Sequence, residues 1–395
     1  MNTILVLGLG LQGKAVVHDL EKGDLVSEIV VAELDVDAAR GYLERKGYTR
    51  SRAVVLDASR EEHVLKLIES VTPRIIISML PADFNFPIAR AALTAGCPFV
   101  SSSYAGRVAE LDAEARAKGV TILPEMGMDP GIDLVLGRLA VDELDVVHGL
   151  YSYGTGLPEP ACAGDNPLHY KITWTFDGVL KAYKRPARLL RSGQIVDIAG
   201  EDIFNEEHGH ILEVNGLGPL EAYPNGDAIH YIQVFNLGPE VRDMGRFALR
   251  YPGHRRFWSK MAALGFLDDA PLTVNGTAIS PRQFMVRHLT PKLQFAENER
   301  DLIVLRVTAW GVKDGRQRRV TYTLIDYRDL GTGLFAMNRA VGYTASIGAR
   351  MILTGQITAA GVLSPTRDVP PRELLRELKA RGMKIDHRVE ECEDV

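Results

Sequence analysis

The stretch TILVLGLGLQGKAVVHDL, residues 3–20, decides how the first part of this chain folds. An apolar run is followed by a glycine-rich turn and then by a helical pattern; the turn residues are Gly8, Gly10, Leu11 and Gly13. Glycines allow a tight turn and a close approach of the backbone to a pyrophosphate, and the first N–H groups of the helix then bind the anion. The spacing predicts a strand–turn–helix unit that binds a dinucleotide.

An acidic residue follows this turn at the distance that is typical of dinucleotide-binding units. Glu33 ends the segment EIVVAE, and we expect its carboxylate to accept hydrogen bonds from the adenosine ribose. The same negative charge would repel a 2′-phosphate, so the sequence predicts NAD in preference to NADP. Asp35 could share or replace this role. A tight turn without a ligand is the alternative interpretation, and the strand, helix and acid around the turn weaken it.

Strand and helix patterns alternate along the first 130 residues, which predicts a Rossmann-type, doubly wound parallel sheet. Ligands bind such sheets outside the carboxyl ends of the strands. Polar or loop residues collect at these ends in the sequence. We therefore expect further cofactor contacts from Asp57, Ser78, Met79, Leu80 and Ser101.

A different pattern begins after residue 150. Segments such as HYKITWTF (169–176) and DLIVLRVTAWG (301–311) are β-branched and aromatic, and Asp314-Gly315 is a hairpin turn signal. They predict a second, α+β domain with a mostly antiparallel sheet. We expect a nucleotide domain at 1–130, with 336–395 packing back on it, and a second domain at 131–335.

The segment YSYGTGLPEPACAGDNPLHYK, residues 151–171, joins the two patterns. It is rich in glycine and proline, and its apolar runs are too short to predict a core helix or strand. Two interpretations remain open. It is either a plain interdomain linker or a loop whose backbone approaches a substrate, with Asp165, Asn166 and Lys171 as polar anchors.

Composition excludes several classes of protein. The formal net charge of −5 gives no basic field for nucleic acid, and no apolar run reaches the roughly 18 residues of a membrane span. Cys97, Cys162 and Cys392 have unrelated spacings, which argues against a disulfide framework and against a zinc site. We expect no metal, no nucleic acid and no membrane partner, and a reducing, cytoplasmic location.

Two motifs carry a resemblance to a known family. MGMDPGIDLVLGR (126–138) and SYGTGLPEPACAGDNPLHYKITW (152–174) resemble the saccharopine dehydrogenase family, which includes saccharopine reductases and lysine 6-dehydrogenases. LRYPGH (249–254) and AMNRAVGYTASIGARMILTG (336–355) extend the match over nearly the whole chain. The resemblance implies oxidation of the C–N bond of an amino acid in lysine metabolism, and a substrate and dimerisation domain, hence a homodimer. It places substrate contacts at Tyr153, Gly154, Asn166, Lys171, Asn225 and Arg250.

Two positions depart from the family pattern. Gly154 stands where the fungal reductases have a cysteine, and Gly226 stands where they have an arginine that holds a substrate carboxylate. Cys162 could replace the missing cysteine, although a free cysteine is more often a small buried residue. Because saccharopine carries three carboxylates, it needs several cationic partners. The remaining candidates are Lys171, Arg246, Arg250, Arg255 and Arg282.

The resemblance also assigns two catalytic candidates, Tyr104 and Asp129. A carboxylate near a forming iminium stabilises its charge. Each candidate has a structural alternative: Asp129 before Pro130 could cap the next helix, and Tyr104 could be an ordinary packed tyrosine. The sequence favours a glutamate-forming saccharopine dehydrogenase. A lysine 6-dehydrogenase, or a nucleotide-binding sensor that has lost the chemistry, are the alternatives.

Overall fold

The computed structural model describes residues 2–391, so Cys392 lies outside the described residues. The chain divides into a first unit, residues 2–135 with 338–383, and a second unit, residues 136–337 with 384–391. The end of the chain departs from the predicted division at 336–395. Residues 384–391 form a strand that pairs with Arg316–Tyr327 in the sheet of the second unit.

Strands and helices alternate from the N-terminus to residue 142, as the apolar pattern predicts. They are β1 (Thr3–Leu7), α1 (Leu11–Lys22), β2 (Glu28–Glu33), α2 (Val36–Lys46), β3 (Ser51–Val55), α3 (Glu61–Val71), β4 (Ile75–Ser78), α4 (Asn85–Thr94), β5 (Phe99–Ser101), α5 (Asp112–Lys118), β6 (Thr121–Leu123) and α6 (Ile132–Asp142). Short 3₁₀ turns at Ala82–Phe84 and Gly106–Leu111 precede α4 and α5.

The next elements build most of the second unit. They are β7 (Val146–Pro158), α7 (Pro160–Ala163), α8 (Phe176–Ala182), β8 (Ala187–Arg191), β9 (Gln194–Ile198), β10 (His210–Val214), β11 (Gly218–Pro224), α9 (His230–Val234), β12 (Asp243–Arg250), α10 (His254–Ala263), β13 (Leu272–Val274), β14 (Thr277–Ile279), α11 (Pro281–Leu289), β15 (Asp301–Lys313) and β16 (Arg316–Tyr327). The described chain ends with α12 (Ala336–Leu353), β17 (Gly361–Val362), α13 (Pro365–Asp368), α14 (Pro371–Ala380) and β18 (Lys384–Glu391).

The sheet of the first unit has the order β17-β6-β5-β4-β1-β2-β3, and each of its strand pairs is parallel. Both faces of such a sheet are buried, which is why β1 and β4 each contain a continuous run of apolar residues, 4–7 and 75–77. β2 and β3 are added on one side of β1, and β4, β5 and β6 are added on its other side, so the order of the strands reverses between β1 and β4. The carboxyl ends of β1, β2 and β4 therefore meet at the position where doubly wound sheets bind their ligands.

The sheet of the second unit has the main order β10-β11-β12-β7-β15-β16-β18, with β8 and β9 attached through β12. The β12–β7 pair is parallel, whereas the other pairs are antiparallel. The hairpin turn predicted at Asp314-Gly315 joins β15 to β16, and both turn residues have positive φ. The predicted fold class, a Rossmann-type parallel sheet plus a mostly antiparallel α+β domain, is confirmed.

Two local predictions were wrong in the second unit. The first eight residues of the segment 151–171 are not a loop: they complete β7, a central strand that pairs with β12 and β15. Glycine is favoured at position 156 of this strand because a Cβ there would collide with Thr173 and Met337. The segment 169–176 is not a strand; its end begins α8.

Candidate active site

The glycine turn between β1 and α1 has the geometry of an anion-binding turn. Gly8 has φ +90°, and a Cβ at Gly13 would collide with the carbonyl oxygen of Gly8. Gly10 precedes α1, and a Cβ built there would meet no heavy atom within 4 Å. The backbone at Gly10 is therefore open to an approaching group, while Gly8 and Gly13 allow the turn itself. The side chain of Leu11 is 37% exposed.

Glu33 ends β2 beside this turn, but its carboxylate is already engaged by the backbone. Oε2 accepts the Leu9 N–H at 2.6 Å, and Oε1 accepts the Leu34 N–H at 2.9 Å. Lys14 interacts with this carboxylate: burial, and after it the charge of Arg45, lowers the pKa of Lys14, whereas the charge of Glu33 raises it. The positive charge of Lys14 thus offsets part of the negative charge of Glu33.

The other predicted cofactor residues lie at the carboxyl ends of neighbouring strands. Ser78 and Ser101 end β4 and β5 and pair with each other in the sheet register. Both are buried, and neither hydroxyl has a hydrogen-bond partner within residues 2–391. Met79 and Leu80 follow Ser78, and the side chain of Leu80 lies against Gly8.

Asp57 lies two residues after β3, at the same edge, and is partly exposed. Its carboxylate accepts hydrogen bonds from the Ser59 hydroxyl at 2.5 Å and from the Ser59 N–H at 3.0 Å, and these bonds lower the pKa of Asp57. The structure therefore brings the predicted cofactor residues to one edge of the first sheet.

A tight turn after β6 holds the first catalytic candidate, Asp129. The peptide bond between Asp129 and Pro130 is cis, and α6 begins only at Ile132. Asp129 therefore precedes the cap position. The Gly131 N–H instead donates to the carboxylate of Asp133 at 2.8 Å, and burial raises the pKa of Asp133 to about 7.

The second catalytic candidate, Tyr104, follows β5 and is 40% exposed, which does not match a tightly packed core tyrosine. The loop that carries it is held by a hydrogen bond from the Ala105 N–H to the carboxylate of Glu125 at 3.3 Å. Both candidates are thus on loops at the carboxyl ends of β5 and β6, which are adjacent strands.

In the second unit, Arg250 is buried at the end of β12 and has only neutral partners. Its Nη1 donates to Thr155 Oγ1 at 2.7 Å and to the Leu249 carbonyl at 2.8 Å, and its Nε donates to the Tyr183 hydroxyl at 3.4 Å. The rings of Tyr170 and Tyr183 flank the guanidinium at 5.4 and 6.0 Å. Within residues 2–391 no carboxylate pairs with Arg250.

Lys171, another predicted substrate residue, has the opposite environment. It is buried, and its Nζ donates to Glu299 at 2.6 and 2.7 Å and to Asp165 at 3.0 Å. Burial alone would lower the pKa of Lys171, but the bonds to the two carboxylates raise it. This ammonium group has its counter-charges within the protein, which indicates a structural role.

The remaining substrate-side predictions are distributed over several elements. Asn166 closes its own loop, since its side chain donates to the Tyr170 carbonyl at 3.0 Å and accepts the Leu168 N–H at 3.1 Å. Tyr153, in β7, stacks on Phe247 of β12 and bonds to His210. Because successive residues of a strand face opposite sides of the sheet, Tyr153 lies on the side opposite to Arg246. Gly154 lies in the middle of β7, and the Asn225 N–H donates to the Arg246 carbonyl at 2.9 Å.

The position of the missing family arginine, Gly226, has a left-handed backbone with φ +75°. The nearest atom to a Cβ built there is Cδ of Arg185, at 3.7 Å. Among the other cations, Arg282 pairs with Asp177 and Asp269, and Arg255 donates to the carbonyls of residues 204 and 205. Arg246 donates to the Tyr231 hydroxyl at 2.6 Å.

Cys162 is buried in α7, with its Sγ 3.4 Å from the Glu159 carbonyl and 3.5 Å from the Arg300 carbonyl. Burial raises its pKa, so the thiol is not activated as a nucleophile. This environment is that of a small buried residue. Within residues 2–391, no helix is long and apolar enough to cross a bilayer, and no group of three or more His, Cys, Asp or Glu side chains could hold a metal ion.

Comparison with known proteins assigns the family. The saccharopine dehydrogenase C-terminal domain matches residues 127–383, and the saccharopine dehydrogenase NADP binding domain matches residues 4–123. The chain belongs to the saccharopine dehydrogenase family. The predicted resemblance is therefore confirmed.

Relatives of known name agree with this assignment. The chain is 26% identical to the NADP(+), L-glutamate-forming saccharopine dehydrogenase of Saccharomyces cerevisiae, over 95% of this chain and 96% of that protein. It is also 26% identical to the mitochondrial alpha-aminoadipic semialdehyde synthase of Bos taurus, over 96% of this chain but only 47% of the relative, so it spans about half the length of that protein. The structure of apo saccharopine dehydrogenase (L-Glu forming) from Saccharomyces cerevisiae superimposes with a TM-score of 0.86 at 25% identity, over 99% of this chain and 100% of that chain.

The comparisons overturn the prediction of NAD as the preferred cofactor. The matched nucleotide domain is an NADP binding domain, and the relatives from Saccharomyces cerevisiae and Schizosaccharomyces pombe are both named for NADP(+). The physical reason lies at Glu33. The prediction assumed a free carboxylate facing the ribose, whereas the carboxylate is bonded to the backbone at Leu9 and Leu34 and has Lys14 nearby.

The sequence did not predict three site residues around Arg250: Thr155, Tyr183 and His254. Tyr183 lies in no motif and becomes a neighbour of Arg250 only through the fold. His254 is the last residue of LRYPGH, one of the stretches that support the family resemblance. The resemblance could therefore have pointed to His254 as a site residue.

Proposed function

We propose that this protein is an NADP-dependent oxidoreductase that cleaves the C–N bond of saccharopine to glutamate and 2-aminoadipate semialdehyde. Membership of the saccharopine dehydrogenase family and the names of the yeast relatives support the reaction class. The observation that carries the substrate class is the environment of Arg250. This guanidinium is buried and has neutral oxygens as its partners.

A buried charge without a counter-charge is unfavourable, and a ligand that supplies the opposite charge relieves this cost. The guanidinium fork matches a carboxylate in two parallel hydrogen bonds. Arg250 is therefore proposed to receive a carboxylate of the amino-acid substrate. Lys171 is not assigned this role, because Glu299 and Asp165 already neutralise it.

When it is bound, NADP accepts a hydride from the carbon of the C–N bond. The residues of the glycine turn fit the pyrophosphate of such a cofactor, because Gly10 leaves open space in front of the backbone and Gly8 has the required positive φ. We assign the 2′-phosphate to Lys14, on which the charge of Glu33 acts, and to Arg45, whose charge also acts on Lys14. The unpaired hydroxyls of Ser78 and Ser101 fit a polar ligand at the same edge.

Asp129 and Tyr104 are proposed to act on the substrate. The carboxylate of Asp129 stabilises the positive charge that develops at nitrogen as the iminium forms. The exposed hydroxyl of Tyr104 orients the substrate or the water that adds to the iminium carbon; the resulting carbinolamine releases glutamate and leaves the aldehyde. Proton transfers accompany addition and release, and these two side chains are the proposed partners.

The reaction is tested by following NADPH formation at mildly alkaline pH with saccharopine and with lysine in separate assays. We expect saccharopine to give glutamate and lysine to give no signal. Oxidation of lysine with saccharopine inert would move the chain to the lysine 6-dehydrogenase branch. Absence of turnover with both compounds, in protein that still binds NADPH, would support a sensor without catalysis.

The role of Asp129 is tested with Asp129→Asn, which keeps the size and hydrogen-bonding capacity of the side chain but removes its charge. We expect kcat to fall by ~100-fold while the melting temperature barely changes. Unchanged turnover in this variant would reject the role in charge stabilisation.

The cofactor assignment is tested by calorimetric titration of the protein with NADPH and NADH. Lys14→Met should weaken binding of NADPH more than binding of NADH, since only NADPH carries the 2′-phosphate. Equal weakening of both would remove Lys14 from the phosphate site.

Assembly and location remain proposals. We propose a homodimer, as the resemblance implies, to be checked by light scattering coupled to gel filtration. We also propose a reducing, cytoplasmic location; the described cysteines, Cys97 and Cys162, are both free thiols. Fractionation of the source cells would test it.

A further inference from the structure

A chain of hydrogen bonds leads from the loop after β7 to Arg250, and His254 is at its centre. The His254 ring contacts the Tyr183 hydroxyl through Nε2 at 2.8 Å, and the backbone carbonyl of Leu168 raises the pKa of the ring, as an acceptor for a ring N–H does. A carbonyl oxygen only accepts, so the other nitrogen, Nδ1, carries the hydrogen. In a neutral ring Nε2 must then accept, and Tyr183 must donate its proton to it.

The imidazole stays neutral near neutral pH. Burial, and after it the charge of Arg250, lowers the pKa of His254 well below its ordinary value. Burial also raises the pKa of Tyr183, which keeps the phenol protonated. The contact between His254 and Tyr183 therefore joins two neutral groups.

The consequence for Arg250 is geometric. Because Tyr183 gives its proton to His254, its oxygen lone pairs are left for other donors, and Arg250 Nε lies 3.4 Å away. On the other side of the guanidinium, Nη1 donates to Thr155 at 2.7 Å. Contacts at two different nitrogens define the plane of the guanidinium, and a bidentate carboxylate complex depends on this plane.

We propose that His254 is a positioning residue that acts through Tyr183 to orient the guanidinium of Arg250 for a substrate carboxylate. The inference rests on the proposed function, in which Arg250 receives that carboxylate. It adds a link to the loop at 166–170, which Asn166 closes and whose Leu168 backbone acts on the pKa of the histidine. The order of the loop and the orientation of Arg250 are thereby coupled.

The test compares His254→Leu, which removes both hydrogen bonds, with His254→Gln, whose amide oxygen can accept the Tyr183 proton in place of Nε2. We expect the Leu variant to raise KM for saccharopine, and its Kd by calorimetry, about tenfold, with kcat within twofold. The Gln variant should recover most of this loss. Tyr183→Phe should reproduce the effect, and the double variant His254→Leu/Tyr183→Phe should be no worse than either alone, because both remove one chain of contacts.

The chain offers a matched control in His210, whose Nε2 lies 3.0 Å from the Tyr153 hydroxyl in the same unit. His210 is also partly buried, and burial lowers its pKa, but its pair lies on the Phe247 face of the sheet. His210→Leu should leave KM and Kd for saccharopine unchanged. An equal loss in this variant would mean that any buried Tyr–His pair affects binding through general packing, and would overturn the inference.

Arg250→Met distinguishes the proposed role of Arg250 in substrate binding from the positioning role of His254. If saccharopine binds Arg250→Met as tightly as the parent protein, the proposed function of Arg250 fails. If Arg250→Met loses binding while His254→Leu and Tyr183→Phe keep an unchanged KM and Kd, only the positioning role fails. Should His254→Leu not fold, Tyr183→Phe retains the ring volume and gives the decisive comparison by itself.

Discussion

Lys171 and Arg250 are two buried cations of the second unit that the sequence assigns to the same task, and the structure gives them opposite surroundings. Lys171 donates to the carboxylates of Glu299 and Asp165. Arg250 donates to a threonine, a tyrosine and a carbonyl, all of them neutral. Residue type and depth of burial are therefore insufficient to identify an anion site; the charge of the partners decides.

The comparison has an energetic basis. Removing one member of a buried ion pair leaves the other charge without compensation, so it destabilises the folded protein. Removing a buried charge that has no counter-charge lacks this penalty, and the loss falls on the ligand that would have supplied the counter-charge. The same substitution should thus affect stability at Lys171 and binding at Arg250.

The largest effect is expected from Arg250→Met. This variant should lower kcat/KM for saccharopine by several hundredfold, because a buried carboxylate left without its partner costs about 3–4 kcal/mol. The free energy of unfolding should fall little, since no carboxylate of the protein loses a partner. Steady-state kinetics and urea denaturation measure the two quantities, and a large loss of stability with normal KM would reverse the comparison.

Lys171→Met should show the opposite profile. Glu299 has a side chain that is only 15% exposed, and without Lys171 it keeps a charge in a poorly solvated place. We expect the free energy of unfolding to fall by about 3 kcal/mol, with KM for saccharopine within twofold. Glu299→Gln in the same background should recover part of the stability, because it removes the stranded charge. A raised KM in folded Lys171→Met would return this lysine to the substrate site.

Much of the fold was predictable because it depends on local patterns. The period of the apolar residues and the turn at Gly8–Gly13 predicted the parallel sheet, and the hairpin at Asp314-Gly315 was located to the residue. The failures have a common cause. β7 contains Gly154 and Gly156, which weaken its strand signal, and its burial comes from pairing with β12 and β15, which are distant in sequence.

The site was predictable only as far as motifs reach. The edge residues Ser78 and Ser101 follow from the topology of a parallel sheet, so the sequence could place them. The orientation of Glu33 and the partners of Lys171 depend on contacts made by other segments. Tyr183, with no motif around it, was invisible for the same reason.

A buried acid of the first unit, Asp133, can be compared with these buried cations. Burial raises the pKa of Asp133 from 3.8 to about 7. Between these values the folded state holds a proton that the unfolded state releases, so stability must fall as the pH rises through this window. We expect this dependence to amount to on the order of 4 kcal/mol, since each pKa unit corresponds to about 1.4 kcal/mol. Asp133→Asn keeps an oxygen for the Gly131 N–H and should flatten the profile between pH 4 and 7, measured by urea denaturation. An unchanged slope in the variant would show that other groups cause the dependence.

The smallest effect is expected at Gly226, where the family arginine is missing. Simple restoration should fail for two physical reasons. The backbone has φ +75°, which costs a residue with a side chain about 1 kcal/mol, and the side chain of Arg185, whose Cδ would be in ordinary contact with the new Cβ at 3.7 Å, brings a like charge close to the new guanidinium. Gly226→Arg should therefore lower the free energy of unfolding and leave the affinity for saccharopine unchanged, whereas Gly226→Ala should show the backbone cost without the added charge. If Gly226→Arg instead tightens binding of saccharopine and Gly226→Ala does not, a second carboxylate of the substrate lies within reach of this turn, and Arg250 would no longer be the sole cation that the proposal assigns to the substrate.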